Sequence, residues 1–551
     1  MPTRRAILSA ALASPALSQS SLSEIPSDVV RRHDDRVQPT LTNQVTDPQS
    51  PWRGGVPDAA GLYWRGSVAG ILDTLGTAFL YKDSRYHGDR LLMERMRLAV
   101  GFLERGQTPD GNIDNPVTNF NSPPDTAFAV RPITTILLLA QKQNAREVVA
   151  MLEPFLKRAG QALSVGGVHT PNHRWVVCSA LAKLNEVFPT PDYVRRIDQW
   201  LAEGIDIDAD GQFSERSTTV YNPITDRALI EIAAKLNRPA LLDPVRRNLE
   251  SLLYLIHPGD EVVTEISRRQ DRFERAKIDS HWFSLQYLAV HDANGQFSAL
   301  ARRCSPGSVS LSTLLEFPEM RRAIPPAPLP ENYEHRFPAI GLARIRRGPT
   351  SVTLLLGGSS RFLSFRRGDA IVQSVRFASA FFGKGQFVPT AAGKRDGSYH
   401  FSQELSAPYW QPLDPPRRLE SYEDIQTSKS FRRQSEVCHL KQSATVTETK
   451  NGLDVRIQAS GTKDVPLAVE ISFAPGGKVI GGQALPGIAN GWLCGTGGIE
   501  YRTGANGIRM GPGRADHRYV NVRGAEARLA GETVYVTGFT PFDETLRFEW
   551  I

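Results

Sequence analysis

Ala209-Asp210-Gly211-Gln212-Phe213 repeats, one hundred residues later, the turn Pro109-Asp110-Gly111-Asn112-Ile113. Two more Gly-rich turns, Val165-Gly166-Gly167-Val168-His169 and Pro258-Gly259-Asp260-Glu261-Val262-Val263, complete a series spaced at roughly fifty residues, the period of a helix–loop–helix array. Apolar residues at helical spacing lie between the turns, over 68–79, 91–103, 133–139, 148–156, 175–188, 193–201, 228–236, 241–256 and 282–290. Two copies match further: Asp110-Gly111-Asn112 leads to Asp125-Thr126-Ala127-Phe128, and Asp210-Gly211-Gln212 leads to Asp226-Arg227-Ala228-Leu229. A single helical hairpin cannot bury its apolar face, so the hairpins must stack in a ring or arc, with the recurring turns opening at one end. Loops on such a scaffold are where binding residues gather.

Beyond residue 325 the texture changes. Pro325-Pro326-Ala327-Pro328-Leu329-Pro330 ends the helical pattern, and short alternating runs between Gly-rich turns follow over 339–346, 351–356, 370–377, 443–449, 453–460, 467–473, 498–503 and 532–537. That pattern predicts an antiparallel β-sandwich. The chain therefore reads as multidomain, α then β: an (α/α) toroid over 21–323, a Pro-rich linker over 324–334 and a β-sandwich domain over 335–551.

With 551 residues, the chain is too long for one ordinary core, and its 40% hydrophobic and 22% charged content is ordinary for a soluble protein. A net charge of +7 suits an anionic partner. The basic residues form no long block and no nucleic-acid motif, so a nucleic-acid partner is not expected, and either an acidic polysaccharide or plain solubility accounts for the charge. Arg4-Arg5 before an Ala-rich run and small residues reads as a twin-arginine-like signal peptide over 1–20, implying a periplasmic or secreted protein. No later run is long and apolar enough to span a bilayer. Cys178, Cys304, Cys438 and Cys494 are scattered without CxxC spacing, so no disulfide framework or zinc ribbon is expected, and Cys178 reads as a packed apolar residue.

The residues suited to chemistry lie on the turns. Asn172-His173 opens an amphipathic helix in Gly166-Gly167-Val168-His169-Thr170-Pro171-Asn172-His173-Arg174-Trp175. Asn172 reads as an N-cap and His173 as the first helical residue, where the positive end of the macrodipole disfavours imidazolium. His169 is a second candidate in the same turn. About fifty residues on, in the neighbouring repeat, Tyr221 precedes Asn222-Pro223, which reads as N-cap and N1 of the next helix. Capping alone would account for Asn172, and a hydrophobic staple for Tyr221. The Ser/Thr/Glu/Arg content of 214–219 is unusually polar for a staple, however. Arg131, Arg216, Arg268, Arg269 and Arg272 lie on the same loops and together could bind carboxylate or sulfate groups. In the β half, Lys394-Arg395-Asp396-Gly397-Ser398-Tyr399-His400-Phe401 offers Tyr399 and His400 at a Gly turn, relevant if that turn caps the helical cleft.

An α/α toroid followed by an antiparallel β domain, with Asn172-His173, then Tyr221, then a His or Tyr from the β half, resembles the heparinase II/III-like and oligoalginate lyase-like polysaccharide lyases. Asn172, His173 and Tyr221 match in type, order and approximate spacing, whereas His400 or Tyr399 matches only in rough position. Pro171 before the pair and Arg174-Trp175 after it depart from the heparin-acting members, so the substrate does not carry over. The resemblance implies β-elimination at a uronic acid. Asn172 with His173 or an arginine would neutralise the carboxylate, Tyr221 and His173 or His400 would act as acid and base, and Arg131, Arg216, Arg269, His169 and Tyr399 would bind substrate. It implies no cofactor and no metal. Two other readings stay open: a glycoside hydrolase using Asp125 and Asp226, which start equivalent helices, and a secreted glycan-binding protein without turnover.

Overall fold

A computed structural model describes residues 23–551. The proposed export signal over 1–20 lies outside them.

Five helical hairpins follow one another. In each, the first helix is inner and the second outer: Val68–Leu80 with Arg90–Arg105, Pro123–Lys142 with Arg146–Val165, Pro171–Val187 with Pro191–Ala202, Tyr221–Leu236 with Leu242–Leu252, and Trp282–His291 with Gly295–Ala301. Inner helices pack on inner helices of adjacent hairpins, and Leu311–Glu316 packs across Val68–Leu80 and Pro123–Lys142. The inner helices are accordingly buried on nearly every face, whereas outer helices such as Pro191–Ala202 bury one stripe. The Pro123–Lys142 helix starts ten residues before its periodic segment because the run 123–132 is polar and apolar at once, and it continues through Pro132. Two N-terminal helices, Ser27–Asp34 and Val37–Asn43, were not foreseen from periodicity.

The four recurring turns are all outer-to-inner connections, so they open at one end. Three share one construction: Gln107 bridges Ile113, Ile207 bridges Phe213 and Ile256 bridges Val262. Gly111 and Gly211 are required in two of them. Both have positive φ (96° and 78°), and a Cβ would stand 2.4 Å from the Arg158 or the Arg247 carbonyl oxygen of the next outer helix.

Inside the ring, four helices exchange charge. Arg131 Nε donates to Glu231 Oε2 at 2.8 Å, and Arg227 Nε donates to Glu231 Oε1 at 2.9 Å. Ser179 donates to the same carboxylate. Lys183 Nζ donates to Glu316 Oε2 at 2.9 Å, and Lys235 pairs with Glu316 Oε1 at 3.1 Å. Burial works against a charged Glu231, yet Arg131, Lys183 and Arg227 hold its carboxyl well below the usual range. Arg131 is thus a buried structural ion and not a residue of the cleft rim.

The β half begins at Asn332–Phe337, before the first strand read from the sequence, because its alternation is masked by charged residues. Ten strands form one sheet and eight a second, packed face to face. Pairing is antiparallel except between Gly491–Leu493 and Thr533–Phe539. The outer face of the first sheet closes on the helical turns. Leu342 and Leu355 join the helical core, the fully buried Arg344 donates to Ser351 Oγ at 2.7 Å and approaches His257 Nδ1 at 3.4 Å, and Arg346 donates to the Ile256 carbonyl at 3.1 Å. Among the described residues no helix is long and apolar enough to cross a membrane.

Removing one member of the buried ion network leaves a charge without its partner. Arg131→Met is expected to lower helical-domain stability by about 3–5 kcal/mol, read from urea unfolding at 222 nm. An unchanged midpoint would show that the network absorbs the loss.

Candidate active site

The Pro171–Val187 helix starts two residues earlier than its sequence suggests: Thr170 is the N-cap, Pro171 is N1 and Asn172 is the second helical residue. A proline at N1 needs no N–H partner, which fixes the start there. Asn172 therefore does not cap. Its backbone N–H and its Nδ2 donate to Glu215 Oε2 at 3.1 and 2.6 Å, and Nδ2 also reaches Thr170 Oγ1 at 3.2 Å. Asn172 Oδ1 is buried without a partner. Likewise the next inner helix begins at Tyr221 itself, not after it, because Ser217 Oγ accepts the Tyr221 N–H at 3.1 Å and the Ser217 carbonyl accepts the Asn222 N–H at 2.9 Å.

Two carboxylates on these turns organise the site. Glu215 accepts from Asn172 on one side and faces Arg269 Nη1 at 3.2 Å on the other. Its backbone carbonyl accepts the Arg268 N–H at 3.0 Å. Asp271, buried, accepts from Ser217 and Thr219 hydroxyls at 2.9 Å each and from Ser267. The 214–220 turn is thereby clipped to the 264–272 turn. As a result Arg269 lies across the Tyr221 ring, its guanidinium carbon 4.7 Å from the centroid and Nη2 3.4 Å from the phenolic oxygen. Gln270 Nε2 donates to that oxygen at 3.0 Å.

His173 is buried one residue beyond Asn172, edge-on to His169 at 4.7 Å and to Phe128 at 6.1 Å. Its side chain makes no hydrogen bond among the described residues, and Nδ1 is unpartnered. Burial, with His169 and Arg269 close by and Asp125 pulling the other way, pushes its pKa down to about 4. The ring is neutral at pH 7. His169 itself is exposed.

The structure thus links Asn172, Tyr221 and Arg269 through Glu215, with His173 adjoining, and leaves other expected residues elsewhere. Arg216, in a left-handed conformation (φ 50°), reaches the Ala339 carbonyl at 3.3 Å and acts at the junction of the two halves. Tyr399 sits in the core between the sheets, its hydroxyl donating to Glu334 Oε1 at 2.6 Å. His400 alternates to the outward face of the second sheet, where it contacts Thr445 Oγ1 at 3.2 Å and the Arg395 carbonyl at 3.3 Å. The first sheet stands between it and the helical turns, so neither Tyr399 nor His400 shares a site with Asn172. The two carboxylates of the hydrolase alternative are both withdrawn into the fold. Asp125 accepts from Asn115, Asn119 and Ser122 at 2.9, 2.8 and 2.6 Å, and Asp226 is fully buried with both oxygens unpartnered. Sequence reasoning passed over Glu215, Gln270 and Asp271. Glu215 carried a signal, since it stands four residues after Gly211 in the repeat.

Its architecture puts this chain in a fold class: an α/α toroid whose turn-bearing end is covered by an antiparallel β domain, the fold of several polysaccharide lyases. A chondroitin AC lyase from Streptomyces coelicolor A3 superposes over 98% of this chain and 80% of its own, with a TM-score of 0.58 and 14% identity. Heparinase III matches over 97% and 86%, at 0.55 and 12%. A Paenibacillus xanthan lyase matches over 95% and 57%, at 0.56 and 10%. No protein-family model and no curated protein sequence matches the chain.

Burial raises the Asp226 carboxyl well above its ordinary range, which favours the protonated form in the folded protein. The unfolded chain ionises that group above about pH 4, so stability attributable to it falls as pH rises from there. Asp226→Asn should match wild type in Tm near pH 4 and exceed it increasingly as the pH rises from there. A pH-independent difference would contradict a buried neutral carboxyl.

Proposed function

We propose that this protein is a polysaccharide lyase that cleaves a uronic-acid-containing glycan by β-elimination, acting outside the cytoplasm as its N-terminal sequence suggests. The observation that carries the reading is the Tyr221 phenol under the Arg269 guanidinium, next to the unpartnered His173, at the turn-bearing end of the toroid. The fold relatives, a chondroitin AC lyase, heparinase III and a xanthan lyase, support it by analogy.

In this mechanism Arg269 neutralises the uronate carboxylate, since only two of its guanidinium nitrogens are engaged, by Glu215 and Tyr221. Both Asn172 amide hydrogens are already taken, which leaves Oδ1 to accept a hydrogen bond from a sugar hydroxyl or a protonated carboxyl. Neutral His173 takes the C5 proton. The C5–H electrons form the C4=C5 double bond, the C4–O bond breaks, and its electrons leave with the glycosidic oxygen. Tyr221 gives that oxygen its proton, while Arg269 and Gln270 steady the negative charge left on the phenolic oxygen. One unsaturated uronide end and one intact sugar end result.

Incubation with a panel of uronic-acid polysaccharides should release products absorbing in the ultraviolet as 4,5-unsaturated uronides. Reducing ends without that absorbance would mean hydrolysis, and neither signal would mean binding without turnover. Tyr221→Phe should reduce kcat by at least about a hundredfold with the fold intact; retained turnover would remove Tyr221 from the chemistry. Because His173 must be neutral, kcat/KM should fall as pH drops through about 4, and this limb should vanish from the residual activity of His173→Gln.

A further inference from the structure

Three residues past Arg269, the same turn meets the β domain. Phe273 is held in a left-handed conformation (φ 66°), with the guanidinium carbon of Arg272 4.9 Å from its ring centroid and that of Arg361, from the β domain, 4.1 Å away. One aromatic ring therefore carries two cations from the two halves of the molecule. Neither arginine has a carboxylate within ion-pair distance among the described residues; the sole side-chain hydrogen bond of the two is Arg272 Nε to the Glu265 carbonyl at 3.3 Å. The neighbouring charges are already matched. Arg376 is held by Glu470 and Glu526, Glu261 by Arg275 and Arg366, and Glu265 accepts from Ser364 at 3.0 Å with His257 at 3.8 Å. Burial and then Arg376 disfavour the charged form of Arg361, with Arg272 adding to them, while Glu526 and Glu470 pull the other way without outweighing them. Arg361 and Phe273 also line a cavity of about 60 Å³ at the domain junction, together with Ser364, Gln373 and three carboxylates, of which Glu261 and Glu265 already have the partners named above and Glu274 has none among the described residues. A half-buried, unpaired guanidinium beside a second one is an arrangement that an anion would relieve.

We infer that Arg272 and Arg361, stacked on Phe273, form a subsite for an oxyanion substituent, a carboxylate or a sulfate ester, on a residue of the glycan next to the one at Tyr221. The inference rests on the proposed lyase reading for its ligand, and it adds a determinant from the β domain that the elimination chemistry does not use. Three residues of chain span at most about 11 Å, so Arg269 and Arg272 can engage neighbouring sugars of one chain. The subsite would make recognition depend on both halves of the molecule, since Arg272 belongs to the helical turn and Arg361 to the loop before the Leu363–Arg367 strand.

Binding tests this without turnover. In a Tyr221→Phe background of the full chain, the affinity for heparin oligosaccharides is measured by calorimetry at fixed salt, alongside desulfated and carboxyl-reduced forms. Arg361→Gln and Arg272→Gln should each weaken binding of unmodified heparin, and the pair together by about tenfold. Loss of that effect with the desulfated probe identifies a sulfate subsite, and loss with the carboxyl-reduced probe a carboxylate subsite. Equal affinity of the double variant and its parent for every probe, or no binding of any probe, overturns the inference. Failure of the lyase reading would show separately, as binding of these probes by the wild-type protein without an unsaturated product.

Discussion

One buried carboxylate, Glu215, is the contact on which the geometry of the site depends. It accepts two hydrogen bonds from the start of one inner helix and faces a guanidinium from the turn two repeats along. A carboxylate with 7% exposure survives only if its charge is met, and here Asn172 and Arg269 meet it. The same contact brings together residues nearly one hundred positions apart in the chain. Asp271 repeats the device from the opposite side, gathering three hydroxyls and so locking the turn that carries Arg269 and Gln270 against the one that leads to Tyr221.

The scaffold makes such precision possible. Inner helices buried on all faces cannot slide without exposing apolar surface, and the ions threaded among them fix their relative heights. Arg131, Glu231, Lys183 and Glu316 belong to this scaffold. Their burial costs desolvation energy, which the paired geometry offsets, and together they occupy the ring interior. The β domain covers that end with a face rich in arginine, and Arg344, Arg346 and Arg366 are spent on joining it to the turns.

Much of the fold was legible in the sequence. The repeated Asp-Gly turn signals a helical array because only glycine tolerates its backbone and the close approach of a carbonyl, and Pro325–Pro330 marks the change to strands. The starts of the two site-bearing helices read two residues late from sequence, since Asn before His and Asn before Pro look like caps although Thr170 and Val220 hold that position. Asn172, His173, Tyr221 and Arg269 were legible as residues suited to chemistry because they lie on repeated turns. His400, Tyr399 and Arg131 were misjudged for one reason: type and rough position do not tell which face of a sheet or ring a side chain occupies.

The sequence by itself determined the order of helices and strands, the end of the ring at which the turns gather, and the residue types available there. These follow from local rules, namely periodicity, the conformational freedom of glycine and the stiffness of proline. Only the tertiary structure decided which of those residues meet. Glu215, Asp271 and Gln270 give no local sign of their partners, and the pairing of Arg272 with Arg361 joins two domains. Such contacts are set by how repeats stack and how the sheet docks, and a long-range ion pair leaves no periodic trace in the chain.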